Sequence, residues 1–311
     1  MVHRTALALG SIALLAWGLH LFQTISEHAR VRQGQKWATA HQAHVSPSLT
    51  RLIDAHFARV RRGGAVIALV SGTWAALAAM FLDLPPGRTL AIVWMAIILI
   101  GTWGTTTSVV QLARLSKDHP VGSAAHSRAV SVNDYAPVAL RLGSAFAGLM
   151  AAAGALLFSF DLIRNKAELA GLEVWGQITV AGLTSLVAAA AVIADWAARR
   201  VAALPEPADD AAHLYWQDAL RSEAIMQAFS GVPLWGLQTF VVGLGFQTAF
   251  STNLPSVAWL WAFAMCAITL VALVSALDVL NFRKRLWPTL MPGQVLMPGE
   301  IPPPRRTAVV A

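Results

Sequence analysis

Long apolar stretches alternate with polar ones along the whole chain. Seven stretches are almost free of charge: 6–22, 65–84, 90–110, 142–160, 174–194, 224–250 and 257–280. Each approaches or exceeds the roughly 18 residues that a helix needs to cross the hydrocarbon of a bilayer. The pattern predicts an all-α integral membrane protein, a bundle of seven transmembrane helices within residues 1–285. The first stretch has other readings. Arg4 followed by "ALALGSIALLAWGLHLF" also resembles a signal peptide. The "QTISEHARVRQGQKW" that follows offers no clean small-x-small cleavage site. The alternative to seven spans is six plus an N-terminal segment lying on the membrane.

The connections sort by charge. An N-terminus outside and a C-terminus in the cytoplasm put 19 of the 23 basic residues inside and leave Arg4, Arg88, Arg164 and Lys166 outside. Such an excess is what the positive-inside bias produces, and it assigns the chain to the cell membrane in that orientation. The outer connections "PPGRT", "DLIRNKAELAGLE" and "STNLPS" are too short to form domains. The inner ones are longer. Within the first, "SPSLTRLIDAHFARVRRGG" at 46–64 reads as an interfacial helix capped by Ser46 and ended by Gly63-Gly64, with Leu52, Ile53, His56, Phe57 and Val60 on one face. The third, from "DDAAHLYWQDALRSEAI", looks helical directly into the sixth stretch. The tail, 286–311, repeats Met-Pro-Gly at a six-residue period in "TLMPGQVLMPGEIPPPRR". Its composition predicts a disordered, Pro-rich cytoplasmic segment.

Composition strengthens the membrane reading. The chain is 56% hydrophobic and 13% charged, about half the charge of an ordinary soluble domain. Cys266 is the one cysteine, which excludes an internal disulfide. The net charge of +7 follows from the inner loops, so no nucleic-acid partner is expected; the bilayer is.

Candidate chemistry is sparse. Asp83, Asp161, Asp195 and Asp278 fall at the ends of stretches rather than at membrane depth, which argues against ion coupling. Asp195 stands four residues before Arg199, the spacing of a helical ion pair. His41 and His44 are three apart, and His213 follows Asp209 and Asp210. These are weak metal candidates on the cytoplasmic side, and no cofactor is predicted. No His-Glu-x-x-His and no Walker sequence occurs. Polar positions inside the stretches form the other group. "GTWGTTTSVVQ" brings Thr102, Thr105 and Thr106 into the inner half of the third, Gln177 lies in the fifth, and Ser230, Pro233, Gln238 and Thr239 lie in the sixth. They make either a solute path or helix-packing glue; threonine hydroxyls can bond their own preceding turn, which makes glue the cheaper reading. In the fourth stretch Ser144, Gly148 and Ala152 form a small-x-x-x-small row that allows close backbone approach.

Two segments, "RAVSVNDYAPVALRL" before the fourth stretch and "DDAAHLYWQDALRSEAI" before the sixth, resemble cytoplasmic segments of multi-span membrane proteins of high-GC Gram-positive bacteria that have no assigned activity. The resemblance covers roughly a tenth of the chain. In those proteins the acidic pair runs almost directly into Ala-Leu-Arg; here "AAHLYWQ" separates Asp210 from Asp218. The resemblance implies a location and no catalytic residue. Three function classes follow, in order: a membrane-embedded accessory subunit with a membrane or cytoplasmic protein partner; a permease or channel for a neutral or apolar solute; and an enzyme with a metal site at the cytoplasmic face.

Overall fold

The computed structural model describes residues 27–44, 130–164, 172–204, 208, 210–250, 266–267, 269–271 and 274–300, with isolated positions at 15, 19, 65, 66, 69 and 73. Apart from those isolated positions, the expected spans at 6–22, 65–84 and 90–110, the interfacial helix at 46–64 and half of 257–280 lie outside the described residues. What is described is helical, with no strand among these residues: α1 (Glu27–His41), α2 (Val132–Tyr135), α3 (Val138–Arg164), α4 (Leu172–Ala202), α5 (Ala211–Phe250) and α6 (Asn281–Leu286).

The helix boundaries follow local chemistry. Ala136 is extended because Pro137 follows it, and the Pro137 carbonyl accepts from the Leu140 and Arg141 amides as α3 begins. Asp210 caps α5: its Oδ1 accepts the His213 amide at 2.7 Å, while its carbonyl accepts that of Leu214. At 40 residues α5 is about 60 Å long, roughly twice the thickness of bilayer hydrocarbon. Its polar first third therefore continues beyond the apolar stretch that begins at 224.

Helices α3 and α4 each contain a segment long and apolar enough to cross a membrane, Val138–Leu156 and Ala181–Ala202. They pack antiparallel: Arg141 meets Asp195, and Gly148 meets Ala191. The side chains are arranged in the reverse of a soluble helix pair. On α3 the large residues Leu142, Phe146, Leu149, Leu156, Phe160 and Ile163, at steps of three, four and seven, are exposed on one face. The small residues Ser144, Ala147 and Ala151 are buried. On α4 Leu186, Ile193 and Trp196 are exposed while Leu183, Val187, Ala194 and Ala198 face the neighbours. Small residues bring the backbones together and leave the bulky ones outside, the arrangement suited to an apolar solvent.

The core thickens at one end. The start of α3, the end of α4 and the start of α5 meet there, joined by α1, α2, α6 and the chain after it. Two features depart from the sequence expectation. Helix α1 was not foreseen, because it has no apolar stripe: Trp37 and His41, one turn apart, are its buried residues among those described. The tail is the larger correction. Residues 287–300 are not disordered; Trp287, Leu290 and Leu296 belong to the buried cluster. Both Met-Pro-Gly repeats form the same β-turn. Gln294 N–H donates to the Met291 carbonyl and Glu300 N–H to that of Met297, each at 3.0 Å, with Gly293 and Gly299 both at φ +80°. This is the type II turn, whose positive φ at the third position calls for glycine and whose second position suits proline. In each turn the fourth side chain reaches back to the methionine amide, Gln294 at 3.1 Å and Glu300 at 2.9 Å. Residues 301–311 lie outside the described set.

The α3–α4 contact gives a direct test. A Cβ on Gly148 would stand 2.4 Å from the Ala191 Cβ, so backbone must move to admit it. Gly148→Ala is expected to destabilise the solubilised protein by about 1–3 kcal/mol. The double variant Gly148→Ala/Ala191→Gly is expected to lose less than the sum of its single variants, measured by thermal unfolding in one detergent.

Candidate functional site at the polar end of the bundle

The thick end of the bundle is built on polar side chains that have no contact with solvent. On α5, Tyr215, Asp218, Ala219 and Ser222 lie on one face at helical spacing, each no more than 1% exposed. The Asp218 carboxylate accepts the Tyr135 hydroxyl of α2 on Oδ1 at 3.0 Å and the Trp287 indole N–H on Oδ2 at 2.8 Å. Ser222 donates to the Tyr135 carbonyl at 2.8 Å, so α2 is held to α5 by two bonds one turn apart. Within α2, Asp134 accepts from the amide and hydroxyl of Ser131 at 2.8 and 3.0 Å and fixes the approach of the chain. The segments around 130–141 and 210–223, remote in sequence, are thus in direct contact.

A buried cation organises the other half. Arg283 of α6 is 5% exposed. Its Nη1 donates to the Tyr215 hydroxyl at 2.9 Å, and its Nη2 donates to the carbonyls of Met291 and, at 2.8 Å, Gln294. The guanidinium also lies 5.7 Å from the Tyr215 ring centroid. Tyr215 in turn donates to the His41 carbonyl at 2.7 Å, which ties down the end of α1. Burial raises the Tyr215 pKa above its usual value more than Arg283 lowers it, so the phenol stays protonated and can donate. Phe282 and Trp287 pack against the Tyr215 ring at 5.3 and 5.4 Å. The two Met-Pro-Gly turns complete the closure: Gly293 N–H donates to the Gln42 side chain at 3.0 Å and Gly299 N–H to Asp210 at 3.2 Å. One turn clips the end of α1 and the other the start of α5.

His41 is placed by this packing. Its ring stacks on Trp37 at 4.5 Å, and Nδ1 lies 3.0 Å from the Trp37 carbonyl, an acceptor that requires the proton on Nδ1. Burial lowers its pKa below 6.5, and the bond to Trp37 offsets this only in part. The Trp37 indole donates to Glu223, linking α1 to α5 a second time; burial raises that carboxyl's pKa and the indole opposes the rise.

The candidates from sequence are distributed as follows. Thr102, Thr105 and Thr106 lie outside the described residues. Gln177 is in α4 and Gln238 and Thr239 are in α5, where the helical backbone alone is described. Pro233 is buried within α5, and its carbonyl accepts the Thr269 hydroxyl at 3.1 Å. Ser230 bonds back to the Gln227 carbonyl at 3.3 Å. His44 is half-buried, and His213 pairs with Gln217 at 3.2 Å beside the Trp216 ring. No three His, Cys, Asp or Glu side chains among the described residues are grouped so as to hold a metal ion. Asp195 does pair with Arg199, at 2.7 Å, and with Arg141 besides, at 3.4 Å. Sequence reasoning passed over Tyr135, Tyr215, Asp218, Arg283 and Trp287. The available signal was the Tyr215–Asp218–Ser222 spacing and the duplicated turn sequence. No known protein family, curated protein or solved structure matches the chain.

What the arrangement does chemically is hold. Its carboxylate, guanidinium and phenol are saturated by fixed partners and bind four separate segments into one body. Asp218→Ala leaves the Tyr135 and Trp287 donors buried without their acceptor; a loss of about 1–3 kcal/mol per donor is expected in thermal unfolding. His41 supplies a pH dependence. In the unfolded chain it takes up a proton near pH 6.5, in the folded chain only at lower pH. Its contribution is therefore complete above 6.5 and falls as pH drops toward the folded value. The melting temperature is expected to fall more between pH 7.5 and 5.5 in the wild type than in His41→Phe, which keeps a ring against Trp37.

Proposed function

We propose that the protein is a seven-span protein of the cell membrane, N-terminus outside and C-terminus in the cytoplasm, and serves as a membrane-embedded accessory subunit. The observation that carries this reading is the polar end itself. Chain segments 27–44, 130–141, 210–223 and 281–300 are joined there by buried hydrogen bonds into one preformed surface. In the topology drawn from basic residues, that end faces the cytoplasm. The outward-facing large side chains of α3 and α4 support a lipid surround. The chain over 287–300, a strap across this end, leaves Met291 and Met297 70% and 51% exposed. Exposed methionines on a rigid support suit a protein partner, since the flexible thioether adapts to an opposing apolar surface.

The permease reading has less support. Beside the proline of α5, the Thr269 hydroxyl donates to the Pro233 carbonyl at 3.1 Å, a buried packing contact of the kind that helix-packing glue makes. Solubilisation in mild detergent at native expression tests the choice. A second polypeptide at fixed ratio is expected, released by Met291→Ser/Met297→Ser without change in melting temperature. Recovery of the chain alone would contradict the subunit reading and favour solute passage.

A further inference from the structure

A cavity of about 280 Å³ opens at the side of the polar end, between the chain entering α2, the first turn of α3 and the last turn of α4. Val130, Ser131, Val132 and Asn133 line one side, and Arg199, Ala202 and Ala203 the other, with Arg141 between. Its size falls just below the range of about 300–1,000 Å³ that buries a drug-sized molecule, and it suits a small head group.

Two arginines and no acid line it. Arg141 and Arg199 share a single carboxylate, Asp195, at 3.4 and 2.7 Å. Arg141 donates Nη1 to the Asn133 side chain, yet its Nε is buried with no acceptor. Arg199 bonds through Nε, and its terminal nitrogens have no partner among the described residues. Two guanidiniums that line one cavity and share one carboxylate bring more N–H donors than Asp195 and Asn133 accept, a surplus that suits an anion with several oxygens.

The depth of the cavity indicates which anion. One turn before Ala203 on α4, Arg200 lies 5.6 Å from the ring of Trp196, which is 59% exposed. An exposed tryptophan with an arginine stacked on it, at the end of an apolar helix, marks the level of lipid head groups. Anionic lipids concentrate in the cytoplasmic leaflet and are held by basic pockets between helices. We infer that this cavity binds a phosphate ester through Arg141 and Arg199. The head group of an anionic phospholipid is the source that fits its depth, a step that rests on the membrane reading above.

Native mass spectrometry of the detergent-purified full chain tests this, with phosphatidylglycerol, phosphatidylcholine and soluble glycerol phosphate as probes. Arg199 is largely exposed, so Arg199→Gln is expected to fold; Arg141→Lys keeps the charge but removes the planar fork of donors. The wild type is expected to retain phosphatidylglycerol at least tenfold over phosphatidylcholine, and each substitution to reduce that preference several-fold. Alkaline carbonate extraction of membranes, run alongside, reports on the membrane reading alone. A chain released by carbonate that binds glycerol phosphate through Arg199 would retain the phosphate site and remove its lipid source. Equal retention of both lipids with no binding of glycerol phosphate, or a preference unchanged in Arg199→Gln, would overturn the proposal.

Discussion

A carboxylate sealed from solvent must receive its hydrogen bonds from the protein, and Asp218 draws them from Tyr135 on one side and Trp287 on the other. Those two donors stand before the first helix of the α3–α4 pair and after the last described helix. Satisfying a single buried charge therefore fixes where α2 lies and where the chain must go after α6. Arg283 imposes the complementary constraint. Its guanidinium needs acceptors, and two of them are main-chain carbonyls of the Met-Pro-Gly strap. Replacing the ionic groups by apolar ones would keep the volume and lose these directions.

The helices beneath are held by a different kind of force. Between α3 and α4 the contacts are small residues at close approach, with Gly148 against Ala191. Shape and dispersion act there, while bulky side chains are left outward. At the polar end, aromatic rings and buried hydrogen bonds take over around Tyr215, Phe282 and Trp287. Arg141, Asp195, Arg199 and Trp196 mark the boundary between the two regimes. The arginine-lined cavity lies on that boundary.

How much of this was legible in the sequence depended on how local each signal is. The apolar centres of α3 and α4, the Ser144–Gly148 row and the Asp195–Arg199 pair are all set within a few residues and could be read directly, whereas both helices run on past the expected 142–160 and 174–194 into polar sequence. Helix α1 could not, since a helix bearing only Trp37 and His41 as contacts looks like a polar loop. Asp218 and Tyr135 are 83 residues apart, and nothing local announces their bond. The strap misled because Pro- and Gly-rich composition signals disorder on average. What overrode the average was the spacing of Trp287, Leu290 and Leu296 around two turns of identical design, each donating a glycine amide to a fixed acceptor.

The central claim is that buried polar bonds make residues 287–300 part of the folded body. Amide hydrogen exchange of the wild-type protein in lipid nanodiscs tests it most directly. The Gly293, Gln294, Gly299 and Glu300 amides donate to the Gln42 side chain, the Met291 carbonyl, Asp210 and the Met297 carbonyl respectively. The account predicts that these four are protected together, to a degree similar to the first turns of α5. Exchange across 287–300 at the rate of an unstructured peptide, with α5 still protected, would contradict it.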